Sequence, residues 1–479
     1  MRRLFVLMML LPTVAFAQFG QGPQVPNPFS PQTMQEMKQI QQAALNSDYA
    51  WRQLAHLSEN IGPRLSGSPQ AQAAVDYVAD EMRKLGLEVR TEKVMVPHWV
   101  RGAETAALVE YPGQAPGSTQ KVVLTALGGS VATPADGITA EVVVVNDFDE
   151  LQALGRDKVA GKIVLYNVPF DKRLAAQGNG GAAYGLSVMY RGGGPSAAAR
   201  LGALAAINRS AGGGDYRSPH TGATNYAADA PKIPAAAICA EDAEMIAHLA
   251  QQGTVRMHLV LTPQTLPDAP SYNVVADIKG SEHPEQVVIV SGHLDSWDLG
   301  RGAIDDGAGV AVSMQVANLL KQLNLHPKKT IRVIAWMNEE NGGMGGRTYA
   351  KDHAGEVANH YAAIETDLGA GHPTGFGAPA GAMGLLRPIA SVLLSSGAGL
   401  ITPGGGGSDI GPLATQGVPT FSPIQDSRFY FNYHHTAADT LDKVDPRELQ
   451  ENAAVVAVLA YGLAQLDQPL PRNPQRGEF

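Results

Sequence analysis

The chain has 479 residues, 44% of them apolar and 17% charged, with a net charge of −9 at neutral pH. That length allows two or three domains, and the composition is ordinary for a globular protein with a real core. The acidic balance and the lack of a basic stripe exclude nucleic acid as a partner, and a single cysteine, Cys239, excludes an intramolecular disulfide.

Arg2 and Arg3, the apolar run Leu4–Val14 and the small-residue site Ala15-Phe16-Ala17 before Gln18 predict a secretory signal peptide over residues 1–17. The apolar run is too short to span a bilayer. No cysteine follows the cleavage site to carry a lipid, and no later segment reads as transmembrane. An exported protein, periplasmic or extracellular and without a membrane anchor, is expected.

Residues 18–32, rich in Gln, Pro and Gly, are expected to form a flexible leader. Helical periodicity runs from Met34 to Leu87, broken by Ile61-Gly-Pro-Arg-Leu-Ser-Gly-Ser68, whose glycines and proline predict a turn. A β-rich stretch follows from Leu87 to Pro112. Residues 115–265 read as a separate insert: short apolar runs such as Glu141–Val145, Ile163–Leu165 and Ile233–Ile238 alternate with Gly- and Ala-rich linkers and helical patches. Cys239 ends one of these runs and is expected to be a buried small hydrophobe. The insert carries no visible metal-binding constellation and is expected to act as a lid or a partner surface.

From Ser271 the pattern becomes strand, turn, helix. Gln286–Ser291, Thr330–Trp336, Tyr361–Glu365 and Val418–Phe421 predict strands, and Val310–Leu323, Ala382–Ser396 and Pro446–Leu466 predict helices. The fold class is α/β: a mostly parallel mixed sheet flanked by helices, formed by residues 33–114 and 266–479, with the insert as a second α/β unit. Ligands of such sheets bind outside the strand carboxyl ends. There stand His293-Leu-Asp295, Asp305-Asp-Gly307, Glu339-Glu340, Asp367 and His434-His435.

Two imidazoles and three carboxylates are the ligand set of a zinc pair that activates water. Asp305, opening Asp305-Asp-Gly-Ala-Gly309, is the natural bridge between two ions. Asp295 is expected to fix the tautomer of His293. Of the Glu339-Glu340 pair, one carboxylate can hold metal while the other serves as general base. Singly, each piece has a plainer reading as a turn, a surface pair or a structural histidine. Their common position at strand ends of one domain favours a hydrolase.

The order HxD, DDGxG, EE, D, H is similar to that of the zinc peptidases of family M28, the aminopeptidase Y and glutamate carboxypeptidase group. The likeness extends to Ser291-Gly-His-Leu-Asp-Ser-Trp-Asp-Leu-Gly300, Ile61–Ser68, Pro97-His-Trp-Val-Arg-Gly102, Ser218-Pro-His-Thr-Gly222 and Pro231-Lys-Ile-Pro234, nearly the whole mature chain. The resemblance implies two Zn²⁺ per chain, one held by His293 and Asp367, the other by Glu340 and His435, with Asp305 bridging and Glu339 as general base. His435 is preferred over His434 because His435-Thr-Ala-Ala-Asp439 matches the family pattern. Where aminopeptidases of the family often place a tyrosine, this chain has His434, so His434 and Tyr433 are the oxyanion candidates. The insert corresponds to a protease-associated (PA) domain, and a homodimer is expected. The implied activity is that of an exopeptidase, a dipeptidase or carboxypeptidase acting on dipeptides or short peptides. An M28 aminopeptidase is the alternative; a non-enzymatic receptor-like relative is a distant one, since all five ligands and the base are present.

Overall fold

The computed structural model describes residues 27–472. The expected signal peptide and most of the leader lie outside the described residues. The leader's expected end at Gln32 moves to Ser30, whose hydroxyl accepts from the Thr33 amide and caps a helix that begins at Pro31.

An eight-stranded mixed sheet carries the site. Its order is Glu88–Val100, Gln264–Ile278, Lys329–Trp336, His283–His293, His360–Glu365, Thr420–Gln425, Pro373–Ala378 and Leu400–Pro403. The four middle strands, from Lys329–Trp336 to Thr420–Gln425, run parallel. The first two strands pair antiparallel at one edge, and Pro373–Ala378 runs antiparallel to Thr420–Gln425. The continuous apolar run Val287–Val290 follows from this central place. Val288 and Val290 pack into the main core on one face, while Val287 and Ile289 pack into a second core on the other. Helices Ala308–Gln322 and Pro446–Gln465 cover the first face and are buried along most of their length. Asp445 caps the latter through the Arg447 and Glu448 amides.

A second eight-stranded sheet holds Glu104–Glu110, three other short strands and Ile138–Val145, Ile163–Tyr166, Ala205–Arg209 and Arg256–Leu261. The insert expected at 115 therefore starts earlier, because Glu104–Glu110 pairs with Arg256–Leu261. Residues 88–110 are nearly all in strands, so strand propensity does not mark the crossing. The structure marks it at Ala103 and Thr262, whose backbones pair as the chain enters and leaves: the Thr262 amide donates to the Ala103 carbonyl at 2.9 Å. The Gly- and Ala-rich segment read as linker contains the helix Gly180–Arg200. Tertiary packing overrides its poor helix propensity: the Tyr166 hydroxyl donates to the Gly194 carbonyl at 2.8 Å, with its ring against Gly194. Cys239 is fully buried, as expected, and burial pushes its thiol up to about 12.

The two units are joined by side chains. Arg101 forms a bidentate pair with Asp298 at 2.7 and 2.8 Å and donates to the Ala126 carbonyl and the Thr125 hydroxyl of the second sheet. Trp297 packs into the core of the second sheet, against Gly128, where a Cβ would collide with its ring.

Candidate metal centre

The loops after the parallel strands converge on one point. His293 ends its strand, Glu339 and Glu340 follow Lys329–Trp336, and Asp367 follows His360–Glu365. Asp305 lies in the turn before helix Ala308–Gln322, and His434 and His435 follow the short helix Tyr430–Tyr433. The structure thus brings together every residue singled out in the sequence as a ligand or base.

Asp305 is the centre of the group. Its Oδ1 lies 3.1 Å from His293 Nε2, and its Oδ2 lies 3.3 Å from His435 Nε2. His293 Nε2 is also 3.3 Å from Asp367 Oδ1, and His435 Nε2 is 2.8 Å from Glu340 Oε2. One carboxylate therefore links a His–Asp pair to a His–Glu pair. Atoms bound to one tetrahedral zinc at about 2.0–2.2 Å sit roughly 3.4 Å apart, so these spacings suit two adjoining ions.

The electrostatics ask for cations. Burial, helped by neighbouring carboxylates, holds Glu340 and Asp306 well above the usual carboxyl range and pushes Asp367 up to about 6. Burial works against charge on His293, yet Asp367 and Asp305 raise it well above the usual imidazole value. Asp305 Oδ2 and Glu340 Oε1 are buried with no hydrogen-bond partner, a costly state for anionic oxygens. Burial, with His434 and Arg191 nearby, holds His435 well below its usual value, which leaves the neutral imidazole that ligates metal. Orphaned carboxylate oxygens and neutral imidazole nitrogens are a donor set that fits zinc.

The supporting contacts explain the motifs. Asp306 accepts from the His293 and Gly309 amides, each at 3.0 Å. A Cβ at Gly309 would sit 2.4 Å from the Asp306 carboxylate and 2.1 Å from the Thr366 carbonyl, so the second glycine of the motif is required by close approach. The Asp295 expectation needs correction. The His293 Nδ1–H donates to the Asp295 backbone carbonyl at 2.9 Å, while the Asp295 carboxylate is 4.0 Å away. That carboxylate instead accepts from the Asn338 and Glu339 amides at 2.7 and 3.1 Å and so positions the Glu pair. The Glu339 side chain is half-buried, and its charge is felt by His293, Asp295, Glu340 and Asp367. His435 adopts a left-handed φ of 58°, a strained conformation for a non-glycine residue that sits at the site itself.

Several contributors escaped sequence reasoning. Arg64, fully buried, donates to the carbonyls of Leu294, Arg301 and Gly302, each at 2.8 Å, tying the turn Ile61–Ser68 to the loops around the centre. Asp439 accepts from the Ala303 and Ile304 amides at 2.8 Å, which joins the His435 loop to the Asp305 turn. The insert is more than a lid. Its Arg191 guanidinium lies 3.3 Å from His435 Nδ1 and donates to the Thr221 carbonyl and the Tyr184 hydroxyl. His220 meets His434 at 3.0 Å, and His220, His434 and His435 cluster closely enough to be counted among the potential metal-holding groups. The motifs Ile61–Ser68 and Ser218–Gly222 were the available signals for Arg64 and His220; nothing in a glycine-rich helix marks Arg191.

Two cavities open beside the centre. One of about 360 Å³ is lined by Ile304, Leu368, Tyr430, Tyr433, Asp426 and Arg428 among others, and one of about 470 Å³ by Glu365, Asp367, Leu368, Gly406 and Gly407 among others. Tyr433, one oxyanion candidate, thus faces a cavity, while His434, the other, has Nε2 3.5 Å from Asp305 Oδ2. Asp409 lines neither cavity: it is 1% exposed, and burial with the charge of Glu365 holds it well above the usual carboxyl range. No helix among the described residues is long and apolar enough to cross a membrane.

Comparison with known proteins places this geometry in a wider group. The family described as peptidase family M28 matches residues 273–460. Carboxypeptidase Q of Bos taurus is 38% identical over 475 residues, covering 95% of this chain and 96% of the relative. Carboxypeptidase Q of Homo sapiens is 40% identical over 428 residues, covering 88% and 87%. A solved peptidase M28 precursor from Shewanella amazonensis superposes with a TM-score of 0.87 at 36% identity, covering 93% of this chain and 99% of that one.

Proposed function

This chain belongs to peptidase family M28 as a metallo-exopeptidase related to carboxypeptidase Q, and from that premise we propose that it is an exported, dizinc dipeptidase or carboxypeptidase acting on dipeptides or short peptides. The single observation that carries the reading is the Asp305 carboxylate, with one oxygen toward the His293–Asp367 pair and the other toward the His435–Glu340 pair. His293 and Asp367 would hold one zinc, Glu340 and His435 the other, and Asp305 both. Bound zinc would supply Lewis-acid polarisation of the scissile carbonyl and acidification of the attacking water.

The chain's own residues then have distinct work. Glu339, held by its amide on Asp295 and not among the five ligands, takes a proton from the attacking water at its carboxylate and delivers it to the nitrogen of the leaving amine. Arg64, Asp306 and Asp439 keep the ligand loops in register. Burial of His293, Asp305, Glu340 and His435 limits the access of bulk water to them. The cavities that adjoin Asp367 and Tyr433 are where a short peptide would lie. The second sheet, with its helices, is read as a PA domain, residues 1–17 as a secretory signal, and the active form as a homodimer.

The test is a panel of unblocked, N-blocked and C-amidated dipeptides, assayed with and without a chelator. Hydrolysis of unblocked but not C-amidated substrates, lost with chelator and restored by zinc, is the expected result; N-blocked substrates are cleaved by a carboxypeptidase and refused by a dipeptidase. Turnover of C-amidated but not N-blocked substrates would make it an aminopeptidase, and chelator-insensitive turnover would remove the metal from the mechanism. Light scattering of the purified protein tests the dimer.

A further inference from the structure

We propose that His220, carried into the centre by the second domain, is a positioning residue: it donates its Nε2–H to His434 Nδ1 and so fixes His434 as the tautomer whose Nε2–H is free to bind the oxyanion. The proposal rests on the peptidase reading above for its chemistry, but its first premise is geometric.

His220 Nε2 and His434 Nδ1 are 3.0 Å apart, and the two rings are 1% and 7% exposed. One nitrogen donates and the other accepts. If the proton were on His434 Nδ1, then His220 would carry its own proton on Nδ1, which is buried with no hydrogen-bond partner. An orphaned buried N–H is rarer than an under-satisfied acceptor. With the proton on His220 Nε2, the orphan is only a lone pair. The far end of His434 is compatible with this arrangement. Its Nε2 lies 3.5 Å from Asp305 Oδ2 but makes no hydrogen bond to it, so an Nε2–H there is left for another acceptor.

The surroundings hold this pair rigidly. The His220 amide donates to the Ser210 hydroxyl at 3.0 Å, and the next amide, Thr221, donates to the His435 carbonyl at 2.9 Å. The His434 ring stacks on His435 with centroids 3.6 Å apart and meets the edge of Tyr184 at 5.2 Å. His434 Nε2 and His435 Nε2 therefore approach the same oxygen of Asp305, at 3.5 and 3.3 Å, from neighbouring directions. A donor held there, beside the ligands but not needed as one, can stabilise charge that develops on the scissile carbonyl oxygen. The insert thus supplies a determinant of turnover to the other domain's centre.

Two measurements test this. A neutron crystal structure of the wild-type protein is expected to place a proton on His434 Nε2 and none on His434 Nδ1; the reverse placement overturns the assignment whatever the substrate is. In the zinc-loaded enzyme, His220→Leu should lower kcat on an unblocked dipeptide roughly 10- to 100-fold, with KM within about threefold and zinc content unchanged. A phosphinic dipeptide analogue, which mimics the tetrahedral state, should bind more weakly in step with kcat/KM. His220→Gln, which keeps an amide N–H donor, should recover most of the loss. An unchanged kcat in His220→Leu, a loss accompanied by loss of zinc, or Gln no better than Leu would each overturn the proposal. Absence of turnover by the wild type would instead strike the peptidase reading and leave the tautomer to the neutron map.

Discussion

Asp305 and Glu339 are both carboxylates at strand-end loops, yet their surroundings differ, and the proposed function gives them opposite tasks. Asp305 is buried with His293 at one oxygen and His434 and His435 at the other, whereas Glu339 is half-buried and tied by its amide. Removal of either side chain should therefore produce different deficits. Glu339→Gln is expected to keep the fold and both zinc ions while losing about two to four orders of magnitude in kcat; metal analysis alongside steady-state kinetics checks this, and near-normal turnover would remove Glu339 as the base. Asp305→Ala should lose zinc itself, read by metal analysis. At this scale the sequence was most legible for residues whose type carries the chemistry. His293, Asp305, Glu340, Asp367 and His435 are histidines and carboxylates in spaced motifs, and such motifs announce themselves. Arg64 and Asp439 act through backbone carbonyls and amides, partners that no motif encodes.

At the scale of elements, the buried parallel strands were legible because both faces meet a core, which forces an unbroken apolar run such as Val287–Val290. The helix Gly180–Arg200 was not, because six glycines and Pro195 contradict helix propensity. Its glycines do not all serve the same end. A Cβ at Gly194 would lie 2.7 Å from the Tyr166 ring, whereas nothing lies within 4 Å of one at Gly185. Gly194→Ala is therefore expected to destabilise the protein by about 1–3 kcal/mol through overpacking, and Gly185→Ala to stabilise it by up to about 1 kcal/mol through propensity. Thermal melting of the two variants separates the effects; equal melting temperatures would mean that Tyr166 does not define the packing of this helix.

For the whole molecule, stability and pH are linked through groups buried in the neutral form. His360 is the clearest case away from the centre: burial lowers it to about 4, and it is held by the Tyr349 hydroxyl at 2.9 Å. Its unfolded value is higher, so the unfolded chain takes up a proton first on acidification. The contribution is fully present above about pH 6.5 and is lost as pH falls from there toward 4, a change of roughly 3 kcal/mol. His360→Gln lacks this dependence, so the stability difference between wild type and variant should shrink between pH 7 and pH 4 in denaturant titrations; a constant difference would contradict it. The same scale separates what each level of description decides. Chain order and residue type determined the α/β class, the family and the candidate metal-binding residues, because periodic burial and metal chemistry both leave marks along a single strand or motif. Only the tertiary structure decided that the Asp295 carboxylate serves the Glu339 loop and not His293, that the second sheet begins at Glu104, and that His220 and Arg191 reach the centre from the other domain. Those outcomes depend on which backbone amide or imidazole nitrogen lies within about 3 Å in space, a distance that sequence separation does not record.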